Sequence, residues 1–391
     1  MRGSWRSAVL AIAGWLTLCA YGGDLRREGR YWVSEQKGTT PLRGAQTVTI
    51  GAQGAVSIRG GMTGAVSWTT TVRVQAADEQ RARALTAIAV DQRRTGQSLS
   101  LSFSGVPGQP DADVTILVPE NLRLCRVRTK AGSVQASDLR GEVDVSSHAG
   151  RLQMDRIHGS LTARTGGGEI RLGSVEGNAH CFTGAGVIRA EAIDGSAQLD
   201  TAGGEIFVQH IRGPLIASSA GGSIQVAQAD SSIAARTKGG LIKVGKALGP
   251  VMADTAGGAI QIRGSSGAQC QASEGAIRLS NVAGAIRAIS GSGDIVTELL
   301  AGKRLENSTL STNSGDITVV IPSSFVITVV AQIVRNGSAG RIVSDFPEIR
   351  MTGGSGFDGN VEMAEGSLNG GGPVLQVVAS GGSVYLRRQR Q

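Results

Sequence analysis

The sequence predicts an all-β solenoid, of the β-helix or β-roll kind, with about ten coils of 18 residues and one short helix in the N-terminal flank. Glycines recur every 18 residues, an aliphatic residue stands two positions after each of them, and a second glycine column follows nine residues later. Glycine accounts for 58 residues and aromatic residues for only 3%. The core of such a chain must be aliphatic and thin.

Residues 1–22 have the pattern of a secretory signal peptide. Arg2 and Arg6 precede a short apolar run over 7–18, and the small-residue pattern of a cleavage site ends at Gly22. We therefore expect an exported protein, in the periplasm or at the cell surface, whose mature chain starts near Gly23. A lipid anchor at Cys19 is the alternative, although Leu18 is larger than the residue that usually precedes a lipidated cysteine. No other apolar stretch approaches the ~20 residues of a membrane helix, so we expect no transmembrane span after cleavage.

Residues 23–120 are predicted to form strands and one helix that cap the solenoid. Residues 45–75 alternate apolar and polar side chains, as strands do. Leu85, Ile88 and Val90 among charged residues predict a helix over 77–90. Further strands are expected over 98–104 and 113–118, before Pro119 leads into the first coil.

Residues 121–322 contain the regular repeat. The first glycine column, with steps of 18 residues except for 17 before Gly275 and 22 before Gly315, comprises Gly132, Gly150, Gly168, Gly186, Gly204, Gly222, Gly240, Gly258, Gly275, Gly293 and Gly315. The aliphatic residues two positions later are Val134, Leu152, Ile170, Ile188, Ile206, Ile224, Ile242, Ile260, Ile277, Ile295 and Ile317. Alternation resumes after the second glycine column, so each coil is predicted to hold two short strands separated by turns.

A hydroxyl residue stands three positions before nearly every glycine of the first column. The set comprises Thr129, Ser147, Thr165, Thr183, Thr201, Ser219, Thr237, Thr255, Ser290 and Thr312. Its parity places it on the inner side of the corner, which favours side chains that bond the turn backbone or one another along the stack. A ligand-binding or ice-binding threonine array is the functional alternative.

Residues 323–391 are predicted to form irregular coils and a second cap. A strand should end at Pro322, an apolar strand should cover 325–334, and a glycine-rich loop over 351–372 should precede a last strand pair that ends at Arg387. A solenoid has open sheet edges at both ends, and covers prevent it from polymerising. We therefore expect a monomer with capped ends.

The motif Thr-x-Gly-Gly-x-Ile-x-Val, at residues 201–208, resembles the repeat of the bacterial putative-adhesin family, an envelope-associated domain of unknown function. The C-terminal order Ser314-Gly315-Asp316-Ile317, Val320-Ile321-Pro322, Ser344-Asp345-Phe346-Pro347 and Ser380-Gly381-Gly382-Ser383-Val384 resembles it too. The resemblance covers roughly residues 45–388. It implies a β-helix-like domain at the cell envelope and brings no catalytic residues with it.

One outward column of the predicted coils is rich in cations and is the candidate binding face. It contains Arg171, Arg189, Phe207, Lys243 and Arg278. Successive coils lie about 4.8 Å apart, so the column would offer spaced cations to an anionic polymer. Gln225, Gln261 and Val296 interrupt it, which favours an ordinary solvated face. The net charge of +8 is spread along the chain, and we expect no nucleic-acid partner.

The sequence offers no catalytic or metal site. A β-helix enzyme needs loops that wall a cleft, and the only candidate walls are an insertion near Asn307 and the loop over 351–372. Glu169, Glu205 and Asp254 sit singly among basic and polar residues. The histidines fall at unrelated positions in the coil, without metal-ligand spacing. We expect no enzyme activity and no cofactor.

The three cysteines of the mature chain are predicted to be buried and reduced. Cys181 and Cys270 share an inward column but are five coils apart, about 24 Å, far beyond the reach of a disulfide. The remaining expectation is an exported, non-catalytic structural or adhesion-type module with an unidentified envelope or cell-surface partner. The alternatives are a binder of anionic envelope polysaccharide and, further off, a polysaccharide-acting β-helix enzyme.

Overall fold

The computed structural model describes residues 15–18, 23–108, 111–302, 304–334, 340–352 and 361–389. The fold is a β-solenoid of about eleven turns with one α-helix among the described residues, which confirms the predicted fold class. The chain divides into two compact units, Met1–Thr162 and Ala163–Gln391, called unit 1 and unit 2 below. In the described part of the chain, no helix has the length and hydropathy needed to cross a membrane.

Unit 1 holds the helix and the first thirteen strands. They are β1 (Trp15–Leu18), β2 (Asp24–Glu28), β3 (Tyr31–Pro41), β4 (Thr47–Ala52), β5 (Val56–Gly61), β6 (Ala65–Val74), α1 (Glu79–Leu85), β7 (Ala89–Thr95), β8 (Ser98–Ser104), β9 (Asp113–Pro119), β10 (Leu124–Thr129), β11 (Val134–Arg140), β12 (Glu142–Ser147) and β13 (Leu152–His158).

Two sheets organise unit 1. In sheet A, β12, β10, β4 and β8 are parallel neighbours, and β7 and then β1 extend the sheet antiparallel. In sheet B, β13, β11, β5 and β9 are parallel, and β6, β3 and β2 follow antiparallel. Strand β2 carries Asp24, Arg26, Arg27 and Glu28, which are exposed. Such charges on a terminal strand oppose pairing with another chain.

The helix α1 is shorter than the sequence predicts. It begins after Asp78, whose Oδ1 accepts a hydrogen bond from the backbone N–H of Arg81 at 2.7 Å, and it ends at Leu85. Ile88 and Val90 are buried, while their neighbours Ala87 and Ala89 are exposed. That alternation belongs to an extended chain that enters β7, so the prediction of a helix as far as residue 90 was wrong.

Unit 2 holds the remaining strands, with β14 beginning at the end of unit 1. They are β14 (Leu161–Thr165), β15 (Ile170–Val175), β16 (Ala179–Thr183), β17 (Ile188–Ile193), β18 (Ala197–Thr201), β19 (Ile206–Ile211), β20 (Leu215–Ser219), β21 (Ile224–Ala229), β22 (Ile233–Thr237), β23 (Ile242–Ala247), β24 (Val251–Thr255), β25 (Ile260–Ile262), β26 (Ala268–Ala272), β27 (Ile277–Val282), β28 (Ile286–Ser290), β29 (Ile295–Leu299), β30 (Ser308–Thr312), β31 (Ile317–Ile321), β32 (Ile327–Val334), β33 (Ile342–Ser344), β34 (Arg350–Thr352), β35 (Val361–Leu368), β36 (Val374–Ala379) and β37 (Val384–Arg388).

Each regular coil of unit 2 gives one strand to each of two parallel sheets. Sheet A of unit 2 takes the even-numbered strands from β16 to β30, and sheet B takes the odd-numbered strands from β15 to β31. The register keeps the isoleucine column in line, and every isoleucine of that column from Ile170 to Ile317 is fully buried. The inward face that the repeat predicts is therefore the core.

The C-terminal strands of unit 2 are not stacked in chain order. Strand β36 lies between β30 and β32 in sheet A, and β37 lies between β31 and β33 in sheet B. The last strand pair predicted from the sequence is present. The predicted loop over 351–372 was wrong in part, because β35 occupies much of it and pairs with β32 over eight residues. Residues 353–360 of that loop lie outside the described residues.

The hydroxyl residues three positions before the first-column glycines form what we call the hydroxyl column. Their side chains bond to the backbone at the corner between successive coils. Thr201 Oγ1 donates to the carbonyl of Gly186 at 2.9 Å and accepts from the N–H of Gly204 at 3.1 Å. Ser219, Thr237 and Thr255 make the same pair of bonds one coil further on each time. The glycines allow close approach here, since a Cβ on Gly204 would lie 2.0 Å from the oxygen of Gly186. The hydroxyls bond to backbone, as the structural interpretation predicts.

The described cysteines, Cys125, Cys181 and Cys270, are free and buried. Burial raises the pKa of each thiol to about 12. Cys181 and Cys270 share one inward column, five strand steps apart, as predicted. Thiols in this state are protonated at neutral pH and are poor nucleophiles.

Candidate functional site

The predicted cationic column lies on the outer face of sheet B of unit 2. Arg171, Arg189 and Phe207 stand side by side on β15, β17 and β19. Lys243, Gln261 and Arg278 follow the same line on β23, β25 and β27. Strand register therefore brings all five predicted residues into one column.

Arg171 and Arg189 share a single carboxylate. Arg171 Nη2 lies 2.9 Å from Glu169 Oε1, and Arg189 Nε lies 3.7 Å from the same oxygen. The Glu169 side chain is only 19% exposed, so the two arginines cover it. Glu169 is thus not the isolated surface acid that the sequence suggests. Because this carboxylate offsets part of their charge, these arginines are the weaker half of the column for an anionic ligand.

Lys243 and Arg278 belong to a group of cations that we call the basic cluster, together with Lys246 and Arg263. Lys246 lies three residues along β23 from Lys243, and Arg263 directly follows β25. The backbone N–H of Arg263 bonds to Val244 at 3.0 Å, which fixes it beside β23. Within the described ranges, no ion pair engages any of the four side chains. The four residues lie on three adjacent coils, whose strands are about 4.8 Å apart.

Sequence reasoning missed Lys246 and Arg263 because neither falls in the repeated column. Both lie near the end of the strand, where outward positions do not follow simple alternation. The repeat gave no signal for them, because Lys246 pairs in register with Gln228, and Arg263 directly follows Ile262, the partner of Val244. Phe207, in contrast, is half-buried in its outward position between Arg189 and Gln225.

A shallow groove crosses sheet A of unit 2. Its floor is the column Ile216, Ala234 and Met252, with Ile216 54% and Met252 39% exposed. The column continues through Gln269 and Arg287 towards Thr309. The volume of the groove is about 750 Å³.

The insertion near Asn307, one of the two candidate walls in the sequence, lines one end of this groove. Glu306 and Asn307 are among the lining residues, beside Arg287. Asn307 Oδ1 accepts a hydrogen bond from the N–H of Val374 at 2.9 Å, which ties the insertion to β36. The groove therefore joins an apolar floor to a polar end.

No group of three or more His, Cys, Asp or Glu side chains within the described ranges is arranged to hold a metal ion. His210 Nε2 lies 3.0 Å from Asp230 Oδ2 on the outer side of sheet B. This pair is half-exposed, with 33% and 30% of the two side chains accessible. It is a surface contact between consecutive coils.

No family model matches the chain, and a search of curated proteins gives no match. Solved structures do align with it. A putative adhesin from Bacteroides fragilis is 18% identical, with a TM-score of 0.37 over 59% of this chain and 96% of its own. A putative cell adhesion protein from Clostridium sporogenes is 10% identical, with a TM-score of 0.18 over 91% of this chain and 100% of its own. A putative lipid binding protein from Parabacteroides distasonis is 15% identical, with a TM-score of 0.25 over 73% of this chain and 97% of its own.

Proposed function

We propose that the protein is an exported, non-catalytic interaction module of the bacterial cell envelope, of the adhesion type. The observation that carries the proposal is the outer surface of unit 2, where side chains stand in register on eight consecutive coils. Neighbouring coils repeat at about 4.8 Å, so the surface presents outward side chains at a regular spacing. A repeating surface of this kind suits a repeating partner, such as an envelope polymer, better than a single small substrate.

The basic cluster supports a second, narrower candidate, the binding of anionic envelope polysaccharide. Lys243, Lys246, Arg263 and Arg278 are free of ion pairs within the described ranges, whereas Arg171 and Arg189 share Glu169. Unpaired surface cations attract a polyanion over about 10 Å at 0.1 M salt. Binding through this cluster should therefore be sensitive to salt.

Co-sedimentation with purified envelope fragments and with alginate, a carboxylate polysaccharide, tests both candidates. For the interaction module we expect retention on envelope fragments without any change in the fragments. For the anionic binder we expect alginate binding at 50 mM salt that weakens at least tenfold at 500 mM, since salt screens exposed charges. Lack of retention on both materials would contradict both candidates.

Two matched double variants each remove two positive charges from the outward column of sheet B. Lys243→Gln with Arg278→Gln should weaken alginate binding several-fold, while Arg171→Gln with Arg189→Gln should weaken it less. Equal losses would show that the column acts only through its total charge. Retention on envelope fragments that resists salt and both double variants would favour the groove on sheet A. Release of shortened saccharides would replace the non-catalytic proposal with an enzyme.

A further inference from the structure

A pocket of about 590 Å³ opens in unit 1 between α1, the hairpin of β2 and β3, and the strands β7 and β8. Its apolar lining comes from Leu25, Ala84, Ala87, Ile88, Ala89 and Val106. Its volume falls in the range of roughly 300–1,000 Å³ that small-molecule sites occupy. The pocket is therefore large enough for a ligand with a short aliphatic body.

The polar end of the pocket is formed by Ser34 and Gln36 of β3. Gln36 is 8% exposed, and its Oε1 atom is buried without a hydrogen-bond partner. A buried amide without a partner destabilises a fold unless another group supplies the bond. Gly23 packs against this end, since a Cβ on Gly23 would lie 2.8 Å from Gln36 Cγ. The amide thus lies close to the backbone of Gly23, at one side of a pocket whose lining is mainly apolar.

Two further polar groups of the lining, those of Arg83 and Thr86, are already engaged, whereas Ser34 and Ser104 contribute neutral hydroxyls. Arg83 is the one charged lining residue, and its Nε and Nη2 donate to Glu79 Oε1 at 3.1 and 2.7 Å. Thr86 Oγ1 donates to the carbonyl of Ala82 at 2.9 Å. A charged head group would find no free counter-charge in this lining. The ligand that fits is uncharged and brings a hydrogen-bond donor to Gln36.

We propose that this pocket binds an amphipathic small molecule with an aliphatic body and an uncharged, hydrogen-bond-donating head group. The head donates to Gln36 Oε1, and the body lies against Leu25 and Ile88. The site belongs to unit 1 and is independent of the proposed polymer-binding surface of unit 2. The two proposals can therefore fail separately.

Fluorescence of N-phenyl-1-naphthylamine, an apolar amine with one N–H, reports occupancy of the pocket in the purified full chain. Competition with 1-decanol and with decyl methyl ether measures the contribution of the donor. The two competitors share an aliphatic body, but only the alcohol donates a hydrogen bond. We expect the alcohol to compete roughly three- to tenfold better, as one additional neutral hydrogen bond implies.

Gln36→Leu should abolish the preference for the alcohol over the ether while the protein stays folded, because leucine keeps the apolar shape and removes an unpartnered amide. Thr40→Val is the matched control. Thr40 lies on the same strand, is buried, and has an unpartnered Oγ1, but it does not line the pocket. Thr40→Val should leave both competitors unchanged.

Ala87→Trp fills the pocket from an exposed position and should abolish probe binding without unfolding the chain. The proposal is overturned if the probe does not bind, or if Ala87→Trp binds it as the original chain does. It is also overturned if the alcohol and the ether compete equally with the original chain. In that last case, water rather than a ligand head satisfies the Gln36 amide.

Discussion

Adjacent residues of β19 differ sharply in their surroundings. Ile206 is 0% exposed and is stacked between Ile188 and Ile224. Ile206→Asp would place a carboxylate in this aliphatic column with no partner, which costs several kcal/mol. We expect a loss of stability of about 4 kcal/mol or more, or failure to fold, as measured by thermal unfolding.

Phe207→Gln is the companion variant. Phe207 faces outward and is half-buried, and glutamine already occupies the equivalent position at residue 225. We expect a change within about 1 kcal/mol, because the variant removes only a partly covered ring. Equal destabilisation by the two variants would mean that the inward and outward faces of the strand are reversed.

Asp138 and Arg156 occupy equivalent places in successive coils of unit 1, and both have left-handed backbones, with φ of 59° and 51°. Arg156 Nε and Nη2 donate to the carboxylate of Asp138 at 2.6 and 3.1 Å, and Arg59 Nε donates at 3.1 Å. The Arg156 hydrogen bond is the main cause that lowers the pKa of Asp138 to about 2. Aspartate tolerates this backbone region better than most residues do.

This depressed pKa predicts how stability depends on pH. The ionised Asp138 stabilises the fold above its ordinary pKa of 3.8, and this contribution is lost as pH falls towards about 2. Asp138→Asn should therefore lower the melting temperature at pH 7, and the difference from the original chain should shrink by pH 3. The effect should be modest, because Asp138 is partly exposed and solvent screens the pair.

Asp254→Asn is the control for this pH series. Asp254 is exposed and has no ion pair within the described ranges. The melting temperature of the Asp254→Asn variant should equal that of the original chain at both pH 7 and pH 3. A difference for Asp138→Asn that stays constant from pH 7 to pH 3 would contradict the role assigned to the ionised carboxylate.

The candidate site was predictable from the sequence only where it follows the repeat. Lys243 and Arg278 fall at the outward position of the 18-residue period, so their shared column was foreseeable. The ion pairs of Glu169 with Arg171 and Arg189 could not be foreseen, because they depend on side-chain direction at the corner. Gln36 gave no signal at all, since its environment is made by pairing between distant strands.

At the scale of the element, the hydroxyl column has one gap, at Ala272. Its neighbours in the column are Thr255 and Ser290. Ser290 Oγ donates to the carbonyl of Gly275 at 3.1 Å and accepts from the N–H of Gly293 at 2.8 Å. Ala272 is buried at the same corner and can make neither bond.

Ala272→Ser should complete the column. The new hydroxyl would reach the carbonyl of Gly258 and the N–H of Gly275, as in the neighbouring coils, and should stabilise the fold by about 0.5–1.5 kcal/mol. Ser290→Ala should destabilise it by a comparable or greater amount, because it leaves backbone groups without their partner. Chemical denaturation of both variants measures the effect, and a destabilising Ala272→Ser would show that the shortened coil has no room for the hydroxyl.

Elements built by the repeat were predictable, and elements outside it were less so. The strands of the regular coils follow from period-two alternation between glycines, which is local information. The helix was predicted too long because Leu85, Ile88 and Val90 fit a helical spacing and a strand entry equally well. Strand β35 was missed because its partner, β32, lies far away in the sequence.

At the scale of the whole molecule, the C-terminal strand pair of unit 2 is an internal layer of its sheets. Removal of residues 374–391 would leave β30 and β31 without β36 and β37, and β32 and β33 would lose the same partners. We expect this truncated chain to aggregate or to melt far below the full chain, because it exposes unpaired backbone and aliphatic side chains. Solubility and thermal unfolding measure the loss.

Removal of residues 390–391 is the matched truncation, since it keeps β37 and the hydrogen bond from the Gln389 N–H to the Ile321 carbonyl at 3.0 Å. It should leave the melting temperature unchanged. If the longer truncation were as stable as the shorter one, the strand order at this end would be wrong. The order could not be predicted from the sequence, because each candidate strand there has the same aliphatic alternation and any of them could pair with β30 or β31.

Strands β36 and β37 insert between strands that precede them in the chain, so this end of unit 2 cannot fold in chain order. Regular coils can form one after another as the chain emerges, because each needs only the coil before it. The end of unit 2 cannot, since β32 and β33 have no regular neighbour until the final strands arrive between them and the stack. A chain threaded through a membrane from its N-terminus would thus leave β32 and β33 without these partners until β36 and β37 had also crossed.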